Sequence, residues 1–167
     1  MLPMPEPAFV ADERTTLEAI LDEQRALVLW KLDGITEEAA SASPVPSGTS
    51  VLGVAKHLAW VERDFFVGDV AGQPIDPPWS AADPDADWRI DPGDSVESIR
   101  EFYAGAVAES QHITAARQLD DVIGAGGSER SLRWVLLHMI EETARHLGHM
   151  DIVRELVDGT TGYVPDA

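Results

Sequence analysis

Apolar residues recur at three- and four-residue spacing in four long stretches of this chain, the period of amphipathic helices. The first runs from about Asp12 to Asp33, with Leu17, Ile20, Leu21, Leu27, Val28 and Leu32 on one face and Gly34 as a stop. The second runs from about Ser50 to Val67, after the breaker-rich Ser43-Pro44-Val45-Pro46-Ser47-Gly48. The third opens on Asp94-Ser95-Val96-Glu97, a capping-box-like start, and carries Ile99, Phe102, Tyr103, Ala106 and Ile113 on one stripe. The fourth runs from about Leu132 to Val157, with Ser131 as its N-cap and Gly159 past its end. Gly124-Ala125-Gly126-Gly127 separates the third from the fourth. No alternating run argues for a sheet, so the pattern predicts an all-α four-helix bundle.

The connection from Gly68 to Pro92 breaks this pattern. It holds Pro74, Pro77, Pro78, Pro84 and Pro92, with Trp79 and Trp88 between them. Loops longer than about 12–15 residues in a compact domain are usually functional or disordered. Two tryptophans argue that this one packs. It is long enough to run the length of a bundle, which lets helices two and three lie parallel.

Composition narrows the class of function. With 12 basic and 30 acidic residues among 167, the net charge is −18. Nucleic acid and anionic membranes need a basic footprint, so both are excluded as partners. There is no cysteine, which excludes disulfides, cysteine-ligated metals and a cysteine nucleophile. The start, Met1 to Pro7, has no basic region and no apolar core of a signal peptide. No uncharged apolar run reaches the roughly 18 residues of a transmembrane helix. The expectation is one soluble, cytoplasmic domain spanning 1–167, with a core over about 12–159 and frayed ends.

Helix four carries the chemistry. At about 100° per residue, His138, His146 and His149 lie within about 40° of Glu142, on the stripe that also holds Val135, Met139 and Val153. A stripe made for burial should not hold an unpaired carboxylate. A cation, a metal ion or a raised pKa would each balance Glu142. On helix two, His57 shares its face with Val54, Leu58, Trp60, Val61, Asp64 and Phe65, while Lys56 and Arg63 lie away from it. Two facing helices would bring His57 to Glu142 and His146. Neutral imidazole and carboxylate suit zinc, nickel or ferrous iron, and three protein ligands leave open positions, the catalytic pattern. Plainer readings stand beside this one. His138 reads as a core histidine, and Glu142 could pair with Arg145.

Ser50–Glu62 and Leu132–Asp151 together resemble the DinB-like superfamily of metal-binding four-helix bundles. More narrowly, they resemble its actinobacterial branch related to mycothiol-dependent S-transferases and maleylpyruvate isomerase. The resemblance implies a bundle with a long crossover between helices two and three. It places the metal ligands at His57, Glu142 and His146, with Gly148 as the glycine of a His-x-Gly motif. His149 stands where many members have Gln. It is left between an extra ligand, a group orienting a ligand and a thiol-proton acceptor; as the candidate catalytic acid–base residue it takes the last role. Asp64, two turns from His57, is a candidate to orient an imidazole. Arg133, Arg145 and Arg154 are candidates to hold a substrate carboxylate, and Trp60, Trp79 and Trp88 to wall a pocket.

The resemblance further implies a divalent metal, zinc foremost, and a mycothiol-like thiol as cosubstrate. The reaction would be a transfer to a small electrophile, or an isomerisation through thiolate addition to a double bond. Its rival is a non-enzymatic bundle that binds a metal or small ligand. A homodimer through helices is also implied by the superfamily.

Overall fold

A computed structural model describes residues 7–124, 127 and 129–162. The chain start at 1–6, and Ala125 and Gly126 of the glycine-rich linker, lie outside the described residues. The architecture is all-α, with four long helices. Helix α1 spans Glu13–Lys31, a short α2 spans Glu37–Ser41, α3 spans Val51–Glu62, α4 spans Val96–Ala115 and α5 spans Leu132–Asp158. A two-residue hairpin, β1 (Val122–Ile123) against β2 (Arg130–Ser131), closes the α4–α5 connection. No helix among the described residues is long and apolar enough to cross a membrane.

Local chemistry sets the helix ends. Side-chain oxygens of Asp12, Thr36, Ser50, Ser95 and Ser131 each accept from a backbone N–H in the first turn of a helix. The capping box of α4 pairs Ser95 with Ser98, one residue later than Asp94 and Glu97 suggest. Gly159 ends α5 in the left-handed region, at φ 76°. Helix two differs from expectation: its α-helical part stops at Glu62 and continues through Arg63–Val70 in wider π-type turns. Past Gly159, Gly162 is tied back, since Lys31 Nζ donates to its carbonyl at 2.9 Å; residues 163–167, part of the end expected to fray, lie outside the described residues.

Side-chain contacts give the directions. Trp60 meets Phe102 edge-on at 5.2 Å and Arg63 reaches Glu109 at 2.9 Å, so α3 and α4 run parallel. Arg133 binds Glu13 at 2.6 Å and Arg154 donates to the Lys31 carbonyl at 2.5 Å, so α1 and α5 also run parallel. Arg14, near the start of α1, caps the end of α4 through the Thr114 carbonyl at 2.7 Å, which sets the two pairs antiparallel. The crossover between α3 and α4 therefore has to travel the length of the bundle.

Two apolar clusters fill the interior. One gathers Leu27, Val28, Leu52, Ala55, Leu58, Leu147 and Met150; the other gathers Leu17, Leu21, Phe66, Val135, Leu136 and Met139. Between them, on three helices at once, the buried positions turn polar: Arg25 on α1, Glu62 on α3 and Thr143 on α5. Arg25 grips Glu62 with two bonds, Nε to Oε1 at 2.7 Å and Nη2 to Oε2 at 2.8 Å. This bidentate geometry offsets the desolvation of both ions. Replacing Glu62 with Gln removes the buried counter-ion of Arg25 and leaves it only the half-buried Asp22, 2.9 Å from Nη1. The expected loss is about 3–5 kcal/mol of unfolding free energy, read from urea melts, and a paired Arg25→Met, Glu62→Leu variant should recover most of it.

Candidate metal centre

His57 sits in the second half of α3, and Glu142 and His146 lie one turn apart on α5, at the same height as the polar layer. The antiparallel packing of α3 and α5 brings them together. His146 Nε2 lies 3.0 Å from Glu142 Oε1. His57 Nε2 lies 3.5 Å from the same oxygen. One ligand atom from each of the three residues falls within 4.8 Å of the others. His146 is buried, and His57 and Glu142 are half-buried. The partners of Glu142 among the described residues are these two imidazoles; Arg145 is exposed on the same helix and does not pair with it.

The crossover supplies the rest of the site. Asp87, in a short 3₁₀ turn at Ala86–Trp88, is buried, and its Oδ2 lies 2.6 Å from His57 Nδ1. An ionised carboxylate can only accept, so Nδ1 carries a proton and donates it. In neutral His57 the lone pair is then on Nε2, aimed at the Glu142 oxygen. Lone pair against carboxylate is repulsive unless a cation lies between them, and a carboxylate behind a ligating histidine is the usual support of such a cation. The donors fit a divalent metal: two imidazoles and one carboxylate, with the His57 ring held from behind. In the metal-free site the same rule puts the proton of a neutral His146 on Nε2, against Glu142 at 3.0 Å, and its buried Nδ1 has no hydrogen-bond partner among the described residues.

Trp88 holds the ring planes. It stacks on His57 at 4.0 Å with 18° between planes and meets His146 edge-on at 5.1 Å. The tryptophan comes this close because α3 has Gly53 beneath it: a Cβ there would stand 2.6 Å from the Trp88 carbonyl oxygen. Lys56 ties the same segment down. Its Nζ donates to the Arg89 carbonyl at 2.8 Å and to Asp91 and Asp94 carboxylates at 2.6 and 2.8 Å. Lys56, whose helical position lies away from the His57 face, is nonetheless buried. Asp87, one of several acids in the crossover, is buried as well.

Other candidates fall as follows. His149 is exposed, with its ring 5.3 Å from that of His146. His138 packs away from the centre, stacked on Trp134 at 5.0 Å and tilted against Phe65 at 4.8 Å. Asp64 makes no hydrogen bond or ion pair with His57; Asp87 takes the orienting position instead. Beside His57 opens a cavity of about 240 Å³, walled by His57, Val61, Asp64, Trp79, Pro84, Asp87 and Trp88. Trp60 stands behind Trp79 at 6.1 Å. Arg133 and Arg154 are held elsewhere, by Glu13 and Asp120 and by Asp158 and the Lys31 carbonyl. The signal for Asp87 in the sequence was slight: an acid directly before a tryptophan, inside a proline-rich segment long enough to cover the bundle.

Electrostatics tune the free site. Burial pulls the His146 pKa below its ordinary value, aided by His57 and His149 and opposed by Glu142. Burial would raise the Glu142 carboxyl, but His146 and His57 beside it hold it below its ordinary value. Both shifts act with one sign. A depressed histidine binds its proton more readily when unfolded, so stability falls as pH drops below the unfolded value of 6.5. A depressed carboxylate adds a second loss below 4.5. Metal-free protein should therefore lose melting temperature steadily from pH 7 to pH 4, and His146→Gln should flatten the upper part of that slope in a thermal scan.

The family model described as mycothiol-S-transferase matches residues 16–159. No curated protein matches the chain. Among solved structures, one titled as the crystal structure of the conserved protein of a locus from Enterococcus faecalis superposes with a TM-score of 0.70. It is 18% identical, and the match covers 90% of this chain and 100% of that one. At that identity the likeness concerns the fold.

Proposed function

This chain belongs to the mycothiol S-transferase family, within the DinB-like superfamily, and on that premise we propose that it is a divalent-metal-dependent transferase joining a low-molecular-weight thiol to a small electrophile. The observation that carries the reading is one ligand atom from each of His57, Glu142 and His146 within 4.8 Å of the others, with Asp87 behind His57. A bound divalent ion, zinc foremost, would supply acidity, so that a coordinated thiol is deprotonated at neutral pH. With no cysteine in the chain, the reacting sulfur arrives on the cosubstrate.

The chain's own groups do the rest. Asp87 keeps the His57 proton on Nδ1 and leaves Nε2 as a ligand. Trp88 covers both imidazoles and keeps water off their faces. His149, exposed beside His146, takes the thiol proton and passes it to solvent. The sulfur lone pair forms the C–S bond, and a halide leaves with its bonding pair or the epoxide C–O bond breaks and its oxygen takes a proton from solvent. Among the described residues, the cavity walls beside His57 hold no arginine or lysine. That favours transfer over the isomerase variant, whose carboxylated substrate would need a cation. The work suits the cytoplasm, where small thiols stay reduced.

Metal content tests the ligands. Protein purified without a histidine tag should hold about one divalent ion per chain by mass spectrometry. His57→Ala and His146→Ala should lose it, and Asp87→Asn should weaken affinity roughly 10–100-fold. Stoichiometric metal surviving His57→Ala would sink the assignment. Conjugation of mycothiol to a model alkyl halide, abolished by chelation and restored by zinc, tests the activity. Firm metal binding with no turnover across a panel of electrophiles would favour the metal-binding rival.

A further inference from the structure

The cavity beside His57 is built unevenly, and its asymmetry bears on the electrophile, resting on the transferase reading above. Its apolar walls are Val61, Pro84 and two indoles, Trp79 and Trp88. One face of Trp88 is taken by the stack on His57. Two carboxylates line it, and they are not equivalent. Asp87 is committed to His57 Nδ1 at 2.6 Å. Asp64, half-buried on the first wide turn after α3, has no hydrogen-bond or ion-pair partner among the described residues.

Charge on Asp64 is left uncompensated. Arg130 acts on it from a distance, but that guanidinium is paired with Asp69 at 3.1 Å and lies over the rings of Phe65 and Trp134. Burial and the neighbouring Asp69 both push the Asp64 carboxyl above its ordinary value. A divalent ion on His57, Glu142 and His146 would not correct this. Its two charges are matched by Glu142 and Asp87, and an incoming thiolate adds one more negative charge. The pocket then has a surplus of negative charge beside two indoles. Aromatic walls with a carboxylate among them are the chemistry that recognises organic ammonium groups. The volume, about 240 Å³, lies below the roughly 300–1,000 Å³ of drug-sized sites, so the occupant is small.

We infer that the cavity selects a small electrophile carrying a positively charged nitrogen, with Asp64 as its counter-charge and Trp79 and Trp88 as its walls. Carboxylated electrophiles are disfavoured at the same place. Asp64 is a specificity-determining residue here, separate from the ligand set.

Three unreactive probes of one shape test this: benzyltrimethylammonium, benzyl alcohol and benzoate, titrated by calorimetry into zinc-loaded protein. Salt of about 0.15 M screens the general field of the −18 surface. The ammonium probe should bind about tenfold more tightly than benzyl alcohol, the scale of one charged contact in a partly dry aromatic site, and benzoate should bind most weakly. Asp64→Asn should bring the ammonium and alcohol probes within about twofold, with metal content unchanged and melting temperature not lowered. Equal binding of all three, tighter benzoate, an unaltered preference in Asp64→Asn, or no binding of any probe would each overturn the inference. Thiol conjugation is scored separately with matched benzyl halides. An ammonium preference without turnover would condemn the transferase reading alone. Turnover indifferent to charge would condemn the cation preference alone.

Discussion

Everything at mid-height in this bundle follows from one constraint: ions placed between two apolar clusters must be compensated inside the protein. Arg25 and Glu62 meet it through a bidentate pair, with Asp22 as a further partner of Arg25 at 2.9 Å. Glu142 does not. It has two imidazoles for neighbours, one of which has its proton committed elsewhere. The pair is closed and structural, whereas the second carboxylate is balanced by groups that also bind metals. Two carboxylates in one layer thus end in different roles because their partners differ.

Much of this was legible beforehand. Helical period, caps and breakers give the four helices, and Ser131 and Gly159 bracket α5 where the structure brackets it. The i, i+4 spacing of Glu142 and His146 puts both on one face, and His57 points inward by the same reasoning. What the pattern misses is long-range and carried by the crossover. Periodicity describes a residue's face on its own helix. It says nothing about an irregular segment that returns over that helix, so Asp87 reads as one acid among many and Lys56 as surface. The burial of Lys56 comes from the chain laid across it, which answers its charge with a carbonyl and two carboxylates. The wide turns after Glu62 obey no 3.6 period, although Asp64, early in them, still lines the cavity beside His57 as its helical face predicts.

The crossover is therefore a working part of the molecule and more than a connection. It brings Asp87 to His57, lays Trp88 over both imidazoles, and closes the cavity with Trp79 and Pro84. Its docking relies on Gly53, because any side chain there would collide with the Trp88 carbonyl. The family to which the chain belongs thus has its long α3–α4 excursion joined here to the same residues that would hold a metal.

The spread of those residues along the chain has a kinetic meaning. His57 meets Asp87 across 30 positions and Glu142 across 85. Contacts of that separation form late, after the loops between them have been closed. The i, i+4 pair on α5 can assemble as soon as that helix does, but it offers two donors and no supporting acid. The four-residue cluster exists only once α3, the crossover and α5 have all docked. A nascent or half-folded chain consequently presents no complete cluster, and an ion taken up there would mark a chain whose folding has finished.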